Sequence, residues 1–197
     1  MPEAHGERRV TLRRVQPLDA SSLGDAYRQQ LTTQDYSPSG LIEGVEFLQG
    51  RQMLDEGGDF MELLRLDGRG EMVAKPGMQI RQVNFSHVMP GAIKAFHLHF
   101  NQEDVWFVPA TDRLLIGLVD VRAASPTYQQ RMRFVLGGGQ NRMVYIPRGV
   151  AHGAVNLGTE PALMLYFVNQ HFSAEQADEH RLPWDMCGTD FWSIQPG

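Results

Sequence analysis

The stretch from Gly91 to Pro109, GAIKAFHLHFNQEDVWFVP, decides how the rest of the chain is read. His97 and His99 are two residues apart. Side chains alternate faces along a β-strand, so both imidazoles point the same way. Glu103 follows beyond a polar Asn-Gln turn. A second stretch answers the first: Tyr145 to Asn156, YIPRGVAHGAVN. There Pro147 and Gly149 make a turn and His152 begins the next strand. Three imidazoles and a carboxylate then converge inside a barrel. The expected metal-ligand set is His97, His99, Glu103 and His152. Such ligands suit Fe(II), Mn, Ni, Co or Zn, and ligand type alone does not choose among these divalent transition metals.

Outward from these stretches the punctuation is β-like. Apolar-rich segments recur at 41–48, 60–66, 78–85, 93–100, 105–108, 114–121, 128–136, 142–146, 151–156 and 163–168. Gly and Pro separate them, as at Pro76-Gly77, Pro90-Gly91 and Gly137-Gly138-Gly139. Many short strands so bounded indicate an all-β sandwich or barrel. Phe60, Trp106, Phe107 and Phe134 read as its core.

Residues 1–40 read as an arm, 41–172 as the barrel and 173–197 as a tail packed on it. In the arm, Val10 to Gln16 is an edge strand and Asp19 caps a helix running to about Leu31. Ser173 to Glu179 reads as a short helix, capped by Ser173 with Gln176 three residues on. Trp184 and Trp192 are expected over the barrel mouth.

A formal net charge of −5 with no basic block argues against a nucleic-acid surface. The lone cysteine, Cys187, permits no intrachain disulfide and fits a cytoplasmic setting. No apolar run reaches the roughly eighteen residues a membrane span needs. The opening MPEAHGERRV lacks the apolar core of a secretory signal. Lysine occurs only at Lys75 and Lys94.

The two histidine stretches resemble the motifs of the cupin superfamily, which implies a double-stranded β-helix, or jelly-roll barrel. Other stretches resemble one family within it, the dTDP-4-dehydrorhamnose 3,5-epimerases. Gly58-Asp59-Phe60-Met61-Glu62 stands for that family's R-G-F-x-E. Gln82 to Ser86 and Gly91 to His99 stand for Q-x-N-x-S and G-V-L-R-G-L-H-Y-Q. Val119 to Tyr128 matches V-D-x-R-x-x-S-P-T-F, and Ile146 to Ala154 matches I-P-x-G-x-A-H-G-F.

The resemblance implies roles. His97 is the general base, Tyr166 the acid on the opposite face, and Lys94 a cation that steadies the enolate. Glu62, Gln82, Asn84 and His152 bind substrate. It also implies a homodimer in which N-terminal strands extend the partner's sheet. The departures are equally specific. The family's catalytic lysine falls near Asp104 or Val105, and neither can serve. The L-S-x-K-D segment whose aspartate polarises the base is absent. His99 and Glu103 have no counterpart in a metal-free site. The implied activity is an epimerase or isomerase on a small sugar-like substrate, with metal assistance. Metal-dependent oxygenase or decarboxylase chemistry, or ligand binding without catalysis, are the alternatives. Arg122, Arg131 and Arg148 are candidates to contact a phosphate.

Overall fold

The computed structural model describes residues 17–35 and 40–195. The chain forms two compact units, Met1–Pro38 and Ser39–Gly197. In the first, Asp19 accepts a hydrogen bond from Ser21 N at 2.9 Å and caps a 3-10 turn, Ala20–Ser22. The longer helix expected here is interrupted. Leu23 is extended, and Gly24 caps a new short helix, α1, Asp25–Arg28. The edge strand expected at Val10 to Gln16 lies outside the described residues.

Among the described residues the second unit holds twelve strands: β1 Glu46–Gln49, β2 Gln52–Asp55, β3 Gly58–Met61, β4 Gln82–Val88, β5 Ile93–Leu98, β6 Asp104–Phe107, β7 Arg113–Asp120, β8 Arg131–Gly137, β9 Arg142–Ile146, β10 Val150–Val155, β11 Ala162–Val168 and β12 His180–Arg181. Ten of them form two five-stranded antiparallel sheets, β1-β9-β6-β11-β4 and β12-β5-β10-β7-β8, while β2 and β3 make a separate hairpin. This is the jelly-roll cupin barrel. Among the described residues no helix is long and apolar enough to cross a membrane.

Over their central strands both sheets are covered on both faces. Trp106, Val144 and Met164 of one sheet meet Ile116, Leu118 and Ala154 of the other inside the barrel. Val105, Phe107 and Phe167 point outward beneath Met72 and Met78. Phe96, Val119 and Ala151 point outward beneath Phe191 and Trp192 of the tail. This is why every residue of β6 and β10 is buried even though successive side chains alternate. Three aromatic expectations change accordingly. Phe60 lies on the hairpin and is 60% exposed. Phe107 belongs to an outer cluster. Trp192 lies against the outer face of the second sheet, and its Nε1 donates to the carbonyl of Trp184, a residue itself largely exposed.

The Val119-to-Tyr128 motif is architectural. Asp120 is fully buried and accepts from Arg122 Nε at 2.8 Å, Ser125 Oγ at 2.5 Å and Thr127 Oγ1 at 2.6 Å. Burial works against its ionised form, but these donors outweigh it and hold the carboxyl well below the usual carboxylate range. Arg122 also donates to Glu43 O, tying the approach to β1 to this turn. Arg131 donates to Cys187 O and Arg148 pairs with Glu103, so all three arginines considered for phosphate have protein partners.

The 173–179 segment is not helical. Ser173 Oγ does accept from Gln176 N, but Asp178 is turned onto another loop. Its carboxylate accepts from Phe100 N, Asn101 N and Gln102 N at 2.9, 2.6 and 2.8 Å. Three charge-assisted bonds outcompete one helical turn.

One irregularity positions the interior. β10 pairs with β5 as His152 with His97, then Ala154 with Lys94. Three steps on β5 therefore match two on β10, which is a β-bulge. Simple alternation would put Lys94 and His97 on opposite faces. The extra residue turns both inward and leaves Ala95 and Phe96 facing the outer cluster. Gly153 sits against the bulge, where a Cβ would come within 2.8 Å of Lys94 O and Ala95 Cα. Gly153→Ala should cost about 1–3 kcal/mol by overpacking, read as a lower urea midpoint at unchanged slope. Stability equal to that of the parent would contradict this close approach.

Candidate active site

A cleft opens between the two sheets. One wall carries Ser86 of β4, Asp104 and Trp106 of β6 and Tyr166 of β11. The other carries Lys94 and His97 of β5, His99 and His152. The segment leading into β12 crosses the mouth and adds Glu179.

His97 is held at both nitrogens. Its Nδ1 lies 3.1 Å from Glu179 Oε1, and its Nε2 accepts from Arg181 Nη1 at 3.1 Å. Arginine has no lone pair to offer, so the proton of the neutral ring sits on Nδ1 and is donated to Glu179. Burial first, and then the Arg181 charge, keep this imidazole below its ordinary pKa, with Glu179 acting in the other direction. His97 is therefore neutral near pH 7, with its lone pair on Nε2. Across the cleft, burial and then the charges of Asp104 and Glu179 raise the Tyr166 phenol, which keeps its proton. Lys94 reaches in from the bulge and donates to Ser86 Oγ at 2.7 Å.

The floor is a second cluster, and it corrects the expected metal set. Trp106 faces the barrel interior, edge-on to His152 with ring centroids 5.1 Å apart. Asp104 lies two residues before Trp106 and shares that face, its Oδ2 accepting from the indole Nε1 at 2.9 Å. Glu103 lies on the other face, where it accepts from Asn169 Nδ2 and pairs with Arg148. It does not approach His152. His97 is engaged by Glu179 and Arg181. The groups that converge are His99, Asp104 and His152, whose ligand atoms lie within 4.8 Å of one another.

The two histidines of that floor are oriented alike. His99 Nδ1 donates to the Asp178 carbonyl and His152 Nδ1 donates to the Val150 carbonyl. Each Nε2 lone pair then faces inward, and His152 Nε2 stands 3.8 Å from Asp104 Oδ2. Backbone carbonyls fix metal-binding histidines in the same manner. The donor types thus fit a divalent transition metal. The Gln102 amide lies 2.8 Å from Asp104 Oδ1 and 3.3 Å from His99 Nε2, bridging the two. An ion has to displace it. Burial, outweighing Asp104, lowers the His152 pKa to about 4.

Of the expected substrate-binding residues, His152 is on the floor. Gln82 and Asn84, joined at 2.8 Å, line a polar groove that continues from Tyr166 toward Phe172. Glu62 is not in the cleft. It pairs with Arg65 at 2.5 Å beside a separate depression near the hairpin. Four cleft residues went unassigned from the sequence: Gln102, Asp104, Glu179 and Arg181. The signal for Asp104 was present, because it shares strand parity with Trp106. Glu179 and Arg181 reach His97 from more than eighty positions away and leave no local trace.

Residues 40–190 match the family model described as dTDP-4-dehydrorhamnose 3,5-epimerase. The chain is 36% identical over 145 residues to the spore coat polysaccharide biosynthesis protein SpsL of Bacillus subtilis (strain 168), covering 74% of this chain and 91% of that one. It is similar in structure to a dTDP sugar isomerase from Desulfovibrio desulfuricans G20, with TM-score 0.62 and 28% identity, covering 78% of this chain and 91% of the other. It is also similar to the dTDP-6-deoxy-D-glucose-3,5-epimerase of Legionella pneumophila Philadelphia 1, crystallised with dTDP-4-keto-L-rhamnose. There the TM-score is 0.67 and the identity 25%, covering 79% and 82%. The fold and these matches agree: the chain belongs to the dTDP-4-dehydrorhamnose 3,5-epimerase family.

Proposed function

We propose that this enzyme epimerises a nucleotide-linked 4-keto sugar at a carbon next to the ketone. The observation that carries this is the placement of His97, backed by Glu179, on one sheet and Tyr166 on the facing sheet. Inversion needs a base on one side of the carbon and an acid on the other. His97 Nε2 removes the carbon-bound proton, and the electron pair moves onto the carbonyl oxygen. The resulting enolate oxygen is stabilised by the Lys94 ammonium. Tyr166 then delivers its phenolic proton to the opposite face of the carbon, and both groups re-equilibrate with solvent. Lys94 supplies the positive charge that no residue near Asp104 or Val105 can supply. Glu179 orients the base, the part that the resemblance gives to an aspartate.

In D2O, His97→Asn should abolish both deuterium uptake and epimerisation. Tyr166→Phe should retain uptake while losing net inversion. Glu179→Gln should lower kcat by about 100-fold, the low end of what a positioned acid or base contributes. Parental rates in His97→Asn would sink the reading.

The floor supports a second element. Two imidazoles and a carboxylate with inward lone pairs favour one divalent transition metal at His99, Asp104 and His152, where it would supply Lewis acidity near the carbonyl oxygen. Elemental analysis of untagged protein should give close to one ion per chain, and Asp104→Asn should reduce it sharply. A chain that stays metal-free in excess Fe(II), Mn, Ni, Co and Zn removes the metal and leaves the acid–base pair in place.

The same reading includes a homodimer, with the cytoplasm as its setting, the latter supported by the lone Cys187. Leu54 and Phe60 of the hairpin are 78% and 60% exposed, and Phe85 on the edge strand β4 is 66% exposed. Exposed apolar side chains beside a free strand edge favour pairing with a second copy. Light scattering at micromolar concentration should return twice the chain mass. A single-chain mass would rule the dimer out.

A further inference from the structure

The hydrogen bond from Arg181 to His97 stands in the way of the reaction. Nδ1 is committed to Glu179, so Nε2 is the nitrogen that must take the proton. In this structure Nε2 accepts from Arg181 Nη1 instead. A guanidinium on the lone pair disables the base until it moves. Movement of the backbone is not the route. β12 pairs with β5 so that Arg181 lies opposite His97. On one side the segment is fixed by the three bonds to Asp178. On the other, Leu182 N donates to Phe96 O at 3.0 Å. The side chain, by contrast, is 59% exposed and free to change rotamer. Its remaining anchor is Glu179 Oε1 at 2.9 Å, shared with His97.

The charge inventory says what would draw it off. The cleft is lined by two carboxylates, Asp104 and Glu179, against one cation, Lys94, which is occupied by Ser86. Arg181 at the rim is the cation within reach of an entering anion. A phosphate presents paired oxygens that match the guanidinium fork far better than a single imidazole nitrogen does. From this geometry we infer that Arg181 is an anion-operated latch on the base: it binds a phosphate group of the substrate and, in doing so, uncovers His97 Nε2. This rests on the epimerase reading and adds a positioning residue that confines proton abstraction to sugars carrying a phosphate.

The test uses a 4-keto-6-deoxyhexose without its nucleotide, in D2O, with and without inorganic pyrophosphate. The parent enzyme should exchange the proton beside the ketone slowly, and at least ten-fold faster once pyrophosphate is added. Arg181→Gln should exchange at the faster rate without pyrophosphate and ignore its addition. With the intact nucleotide sugar the same variant should show a raised KM. Arg181→Lys keeps the charge but not the fork, and should respond to pyrophosphate only weakly. A parent enzyme indifferent to pyrophosphate, or an Arg181→Gln variant as responsive as the parent, overturns the latch. A second readout is independent of turnover: the side-chain Nε–H resonance of Arg181 should shift on adding pyrophosphate. If no keto sugar exchanges, even with its nucleotide attached, the epimerase reading fails. The resonance then decides anion binding alone, and an unmoved signal overturns it.

Discussion

The close contact of Gly153 with the bulge of β5 is the constraint on which the cleft depends. It lets one strand carry an extra residue against its neighbour, so that Lys94 and His97 face inward together. Without that residue, His97 and Lys94 would fall on opposite sides of the sheet. A side chain at position 153 would push the strands apart where His152 and His97 pair. The glycine after His152 therefore serves the placement of His97 rather than the flexibility of a turn, and its φ is not in the left-handed region.

Most of the barrel was legible because its turns are marked. Each strand expected within the barrel overlaps an observed one, and glycines and prolines delimit them. The hairpin strand β2 and the two-residue β12 escaped notice for physical reasons. β2 is exposed at every residue, so burial imposes no pattern on it. β12 is too short to show a period and owes its existence to pairing with β5. The helix expected at Ser173 failed because a local cap was outweighed by Asp178, whose partners lie more than seventy residues away.

The converging cluster departs from the expected ligand set at two positions, His97 and Glu103, and the second has an instructive cause. Spacing after His99 pointed to Glu103, but the parity of β6 is set by Trp106, which needs the barrel interior for its ring and an acceptor for its N–H. Asp104 provides that acceptor and comes inward with it. His97, His99 and His152 all line the cleft. Their division into one imidazole held by Glu179 and two that share the floor with Asp104 depends on long-range partners that no local pattern records. Arg122 lies in a motif that looks functional, yet it closes a buried turn around Asp120.

The attachment of the 178–182 segment has an evolutionary corollary. The barrel floor is built from strands buried on both sides, where a changed side chain disturbs packing. Glu179 and Arg181 instead ride on a short surface ribbon held by main-chain bonds and by the carboxylate of Asp178. Substitutions at those two positions can retune the basicity and accessibility of His97 with little cost to folding. If the proposed roles of Glu179 and Arg181 hold, the reaction's selectivity is separated from the stability of the scaffold, and the ribbon is where new preferences can be sampled cheaply.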